Sequence, residues 1–151
     1  MRNSKPILIV DDDSVDVMAA KRAMRDAGVD NPVVHKENGE EALEYLRDLG
    51  SHEPCLILLD LNMPKMNGIE FLKAVKDDET LRRIPVLVLT TSNEQSDVVT
   101  CFELGAAGYM LKSIDYEEFS ETIKAIDRYW TISESPIAVA GTTDGVCAKV
   151  G

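Results

Sequence analysis

Five short apolar runs, each leading into a stretch with helical periodicity, constrain this chain more than any other feature. The runs are Ile7–Val10, Val33–Val34, Leu56–Leu59, Val86–Leu89 and Tyr109–Leu111. Four of the five are nearly continuous rather than alternating, as strands covered on both faces should be. Val15, Met18, Ala19, Arg22 and Ala23 share a helical face, with Gly28 as the stop. Ala42, Leu43, Leu46 and Leu49 make a second face before Gly50 and Pro54, and Ile69, Leu72 and Val75 a third. Val98, Phe102 and Leu104 form a shorter fourth, and Phe119, Ile123, Ile126 and Trp130 a fifth. A βα unit repeated five times, with right-handed crossovers, predicts an α/β fold. Its five-stranded, doubly wound parallel sheet lies between two helical layers. Ligands of such sheets bind outside the carboxyl ends of the strands, so the residues just after each run are where chemistry is expected.

The 151 residues suit one domain, and 44% apolar types suffice for a core. From Thr131 the character changes: nine of the last 21 residues are Ser, Thr, Gly or Pro. Residues 5–130 are therefore expected to fold and 131–151 to form a flexible tail, with Ile137–Val139 a candidate docking strand. The net charge of -11 divides evenly, with -5 in residues 1–75 and -6 in 76–151. No basic face is available for phosphates, so no nucleic-acid partner is expected. No run approaches the roughly 18 apolar residues of a membrane span, and no h-region follows the first residues. Three cysteines, Cys55, Cys101 and Cys147, are an odd number without a C-x-x-C pair, and the two histidines lack ligand spacing. A cytoplasmic protein is the expectation.

At the strand ends stand Asp11, Asp12 and Asp13, then Asp60, then Thr90 and Thr91, then Lys112. Taken singly these are ordinary: Asp13 or Ser14 suits a helix cap, Thr90 a strand end, Lys112 a surface base. Together they put three or more carboxylates, two hydroxyls and an ammonium on one rim. Crowded carboxylates repel unless a cation sits among them. Oxygen donors without His or Cys favour a hard ion, Mg²⁺ above all. A metal beside a carboxylate, a hydroxyl and a lysine is equipment for handling a phosphoryl group.

These residues resemble the receiver domain of two-component response regulators over residues 5 to about 130. The motifs are Ile7-Leu-Ile-Val-Asp11-Asp12, Leu58-Leu-Asp60-x-x-Met63-Pro64-x-x-x-Gly68, Val88-Leu-Thr90 and Gly105-Ala-x-Gly-Tyr109-x-x-Lys112. The resemblance implies a flavodoxin-like three-layer fold with strand order 2-1-3-4-5. It implies that Asp60 takes a phosphoryl group from a histidine kinase. Mg²⁺ would be held by Asp12, Asp60 and the backbone carbonyl of Asn62, with Asp11 acting through water. Lys112 would contact the phosphoryl oxygens and Thr90 would swing to hydrogen-bond one. Tyr109 would change rotamer with it, and Asn62 and Ser92 would flank the site as tuners of dephosphorylation. Such a chain is a phospho-acceptor that promotes its own phosphotransfer and dephosphorylation, not an enzyme. One departure stands out: the family usually has Pro after this lysine, often in a cis peptide, whereas here Ser113 follows and a trans bond is expected.

No effector domain follows, so output is expected through a downstream protein target or a phosphotransfer protein. Leu81-Arg-Arg-Ile-Pro85-Val-Leu-Val-Leu-Thr90-Thr-Ser92, with Tyr129-Trp130, looks most like the single-domain regulators that partner phytochrome-type histidine kinases. That subgroup forms homodimers through the side made by the fourth helix, fifth strand and fifth helix and through the chain end, which makes Tyr129 and Trp130 interface candidates. Two rival readings remain. A degenerate receiver would bind partners without phosphorylation. Alternatively, Asp11-x-Asp13-x-Val15 resembles the first motif of haloacid-dehalogenase-type phosphatases, with Asp11 as nucleophile, but this leaves Asp60 and the Met63-Pro64 turn without a purpose. No Gly-rich phosphate loop or Walker A pattern is present, so the chain should not use ATP itself.

Overall fold

The computed structural model describes residues 5–48, 53–113 and 115–132; Leu49, Cys147 and the Ile137–Val139 docking strand lie outside the described residues. In chain order the elements are β1 (Ile7–Val10), α1 (Ser14–Asp26), β2 (Val33–Lys36), α2 (Gly39–Arg47) and β3 (Leu56–Leu59). They continue with α3 (Gly68–Asp77), β4 (Val86–Thr90), α4 (Gln95–Glu103), β5 (Gly108–Leu111) and α5 (Tyr116–Ile132). The strands form one sheet in the order β2-β1-β3-β4-β5, every pair parallel. This is the doubly wound fold expected from the run pattern. The last helix continues two residues into the segment expected to be tail.

Alternate strand residues feed two cores, which is why the runs are continuous. Leu8, Val10, Ile57, Leu59, Val86 and Val88 pack with α2, α3 and Cys101 of α4. Ile7, Ile9, Leu56, Leu58, Leu87 and Leu89 pack with α1 and with Phe119, Ile123 and Ile126 of α5. Each face of the sheet thus buries its own layer. Among the described residues, no helix is long and apolar enough to cross a membrane.

Two helical faces differ from expectation. The inner residues of α1 are Val17, Ala20, Ala23 and Met24, whereas Val15 and Met18 are 71% and 69% exposed. Of the expected stripe, Ala23 is buried and Ala19 packs against the core, whereas Val15 and Met18 face water and Arg22 lies over the Tyr116 ring near Asp26. In α4 the buried residue is Cys101, while Phe102 is half exposed.

Caps fix where the helices begin and end. The Asp13 carboxylate accepts the N–H groups of Val15 and Asp16 and opens α1. Gly28, at φ +82°, closes it: its N–H reaches the Arg25 carbonyl and that of Val29 the Met24 carbonyl, a Schellman arrangement. Asn67 and Glu70 form a reciprocal capping box at α3. Gly68 sits against the backbone of the β3 end, where an added Cβ would lie 2.6 Å from Leu61 Cα. The start of α3 is thereby packed directly under Asp60.

Candidate functional site

Register brings the expected residues together. Val10 pairs with Leu59 and Leu59 with Val88, so Asp11 and Asp60 emerge side by side at the carboxyl ends of β1 and β3. The Asp60 N–H donates to the Val10 carbonyl at 2.9 Å. On the other flank Thr90 pairs with Leu111, and the Lys112 N–H donates to the Thr90 carbonyl at 2.8 Å. Continuation of four parallel strands past their last ladder bonds delivers all the chemistry to one rim.

Asp11 and Asp60 are buried and Asp12 is exposed; one oxygen from each lies within 4.8 Å of the others. Lys112, its side chain 7% exposed, donates from Nζ to Asp11 Oδ2 at 2.7 Å and to Asp16 Oδ2 at 2.9 Å, and Nζ lies 3.6 Å from Asp60 Oδ2. Asp11 Oδ1 accepts the Asp13 N–H at 2.9 Å. Burial pushes the Asp11 carboxyl above its ordinary value, against the hydrogen bonds from Lys112 and Asp13. Burial alone would lower the Lys112 ammonium, but its bonds to Asp11 and Asp16 outweigh that and hold it above the usual lysine value. Lys112 is therefore a fixed cation facing three carboxylates, with Asp12 close to two of them, and the excess of negative charge invites a second cation. All-oxygen donors, two of them buried and one open to water, fit a hard divalent ion that keeps part of its hydration shell.

Thr90 is wholly buried, and its Oγ1 accepts the Ser92 N–H at a long 3.4 Å. Half-buried Tyr109 donates its hydroxyl to the Ser92 carbonyl at 2.8 Å, and Ser92 Oγ donates to Asp97 Oδ2 at 2.6 Å. Ser92 thus ties β5, the end of β4 and the first turn of α4 into one hydrogen-bonded unit. Asn62 is exposed on the loop after β3 and shares a groove with Asn67 and Asp97. Among the described residues no peptide bond is cis. The Ser113 hydroxyl accepts the Asp115 N–H at 3.1 Å and donates to Glu118 at 2.8 Å, two bonds that a proline could not make. Tyr129 is exposed on α5, and the Trp130 side chain lies outside the described residues.

Two contacts were not read from the sequence. Asp16, in the first turn of α1, is the second anchor of Lys112. Its signal was an acid five residues after Asp11, which looks like a helix-dipole residue. His35 on β2 donates from Nε2 to the Asp11 carbonyl at 2.7 Å and steadies the β1–α1 loop; only the β1–β2 register exposes that contact.

The response regulator receiver domain family matches residues 7–124. Response regulator Rcp1 of Synechocystis sp. is 35% identical over 130 residues, which span 83% of this chain and 88% of Rcp1. The crystal structure of the phosphorylated cyanobacterial phytochrome response regulator RcpA superposes with a TM-score of 0.81 at 36% identity, covering 86% of this chain and 96% of RcpA. The Mn²⁺-bound form of Rcp1 gives 0.78 at 33% identity, with coverage of 86% and 96%.

Proposed function

The chain belongs to the response regulator receiver family, and from that premise we propose that it is a single-domain regulator phosphorylated on Asp60 by a histidine kinase. The observation that carries the reading is the Asp60 carboxylate, buried beside Asp11 and Asp12, with the Lys112 ammonium 3.6 Å away. An Asp60 oxygen bonds to phosphorus as the P–N bond to the kinase imidazole breaks, and the bonding pair stays on that nitrogen. The loose transition state asks mainly for charge stabilisation. Lys112 supplies part of it. Asp12, Asp60 and the Asn62 carbonyl would hold Mg²⁺, with Asp11 reaching it through water, since both Asp11 oxygens already accept hydrogen bonds. Mg²⁺, when bound, supplies further neutralisation of the phosphoryl oxygens.

Thr90 then turns its hydroxyl toward the new phosphoryl oxygens, giving up its weak bond to the Ser92 N–H. Tyr109, held on the Ser92 carbonyl, follows and alters the α4–β5–α5 face. Output is by protein association through that face, to a second copy of this chain and to a downstream target or phosphotransfer protein. The likeness to the cyanobacterial phytochrome response regulator RcpA favours a phytochrome-type kinase as partner. A cytoplasmic location goes with this reading, and the chain acts as a phospho-acceptor rather than a turnover enzyme. A phosphorylation-independent scaffold is less well supported, because acids, hydroxyl and ammonium are all assembled. Nucleophilic Asp11 is disfavoured by the Lys112 and Asp13 bonds that occupy its carboxylate.

The test is intact mass after incubation with acetyl phosphate and Mg²⁺, beside Asp60→Asn and an EDTA control. One added phosphoryl group on the wild type alone, absent with EDTA, is the expected result. An unmodified wild type, or an adduct retained by Asp60→Asn, overturns the assignment.

A further inference from the structure

Lys112 is held from two different elements. Its Nζ donates to Asp11 in the β1–α1 loop and to Asp16 in the first turn of α1, at 2.7 and 2.9 Å, while Asp60 is at 3.6 Å. An ammonium has three N–H donors, so two are committed and one remains for Asp60 and whatever Asp60 carries. Asp11 and Asp60 have a second claim on them, because with Asp12 they form the carboxylate cluster suited to a divalent cation. Asp16 is outside that cluster and binds Lys112 without such competition. Its backbone is fixed as well, since its N–H is capped by Asp13 Oδ1 at 3.2 Å.

This asymmetry gives Asp16 a task. A divalent cation offsets two of the three carboxylate charges of the cluster, so the cluster holds the ammonium less strongly, and a four-carbon stem lets it swing away. Asp16 supplies an opposing charge at 2.9 Å from a different element, and its carboxylate is not among the cluster's donors. Resting on the reading of Asp60 as acceptor, we propose that Asp16 is a positioning residue. It anchors the Lys112 ammonium from α1 so that the remaining N–H meets the phosphoryl oxygens at Asp60. In the reaction with acetyl phosphate, an Asp60 oxygen bonds to phosphorus while the bond from phosphorus to the acetate oxygen breaks, and acetate leaves with the electron pair. Lys112 keeps its proton throughout and acts by charge and hydrogen bonding. Asp16 touches neither the phosphoryl group nor the acceptor.

The experiment uses the full chain as wild type, Asp16→Asn, Lys112→Ala and the double variant, with Asp60→Asn as control. Three quantities are measured: the initial rate of adduct formation by intact mass, Mg²⁺ affinity from amide NMR shifts, and affinity for beryllofluoride in the presence of saturating Mg²⁺. Asp16→Asn is expected to lower the adduct rate and the beryllofluoride affinity about tenfold, the size of one charge-assisted hydrogen bond. Mg²⁺ affinity should change far less, and its amide spectrum reports that the variant is folded. Adding Asp16→Asn to Lys112→Ala should have no further effect. An undiminished rate in Asp16→Asn, an equal loss with and without Lys112, or a matching loss of Mg²⁺ affinity overturns the proposal. Absence of any Mg²⁺-dependent adduct on the wild type, or its persistence in Asp60→Asn, instead overturns the underlying reading of the site.

Discussion

Cys101 shows how a single buried side chain sets a pH limit on the fold. It is fully buried on the inner face of α4, and burial, aided by the charge of Asp97, pushes its thiol from 9.0 up to about 11. The unfolded chain releases this proton near pH 9 while the native chain keeps it. Between the two values the native state binds more protons, so stability falls as pH rises through that window and is unaffected below it. Wild type should lose about 1.4 kcal/mol more than Cys101→Ala between pH 8 and pH 10. Denaturant midpoints of the two proteins at both pH values check this, and the comparison cancels the lysines. Parallel pH profiles would show that the thiol is not held neutral by burial. At this scale the site was only partly legible. Asp60, Asp11, Asp12, Thr90 and Lys112 could be picked out because each immediately follows or ends an apolar run. Asp16 and His35 could not, because their contacts depend on helix rotation and strand register rather than on nearness in sequence.

Elements are fixed by their ends as much as by their faces. Val15 and Met18 have the same helical spacing to Ala19 and Ala23 as core residues would, yet only the two alanines pack inward. Spacing gives a period but not a phase, and the phase comes from the cap. Asp13 accepts from the N–H of Val15 at 2.9 Å and of Asp16 at 3.2 Å, and this sets Val17 and Ala20 inward and Asp16 toward Lys112. Asp13→Ala should therefore cost about 1 kcal/mol of stability, with Asp13→Ser recovering most of it. Urea unfolding of the three proteins decides the point. If Asp13→Ser is as unstable as Asp13→Ala, the carboxylate acts through its charge rather than as a cap. Such caps were legible as alternatives, Asp13 or Ser14, because either side chain can accept from the first turn. Ser113 is a comparable case: its departure from proline was visible, but its bonds to Asp115 and Glu118 follow only from the turn into α5.

For the whole molecule the architecture was legible because both faces of a parallel sheet must be covered, which forces continuous apolar runs and helices between them. The outer surface obeys no such constraint, and there the sequence pattern is weak. Val99 and Phe102 lie one turn apart on α4 and are 44% and 50% exposed. Leu111 on the edge strand β5 is also half exposed, on the same side of the sheet as Tyr109, which packs with the α4 core. If this face joins two copies, each carrying a formal charge of -11, apolar contact has to overcome like-charge repulsion. Salt screens the repulsion and leaves the apolar term, so self-association through this face should strengthen as ionic strength rises. Light scattering is expected to give about twice 16.7 kDa for the wild type, more completely at high salt, and a single chain mass for Phe102→Glu. A dimer that weakens with salt would place the contact on ion pairs elsewhere on the surface. A wild type that stays at the single-chain mass at every salt concentration would leave this face to heterologous partners alone.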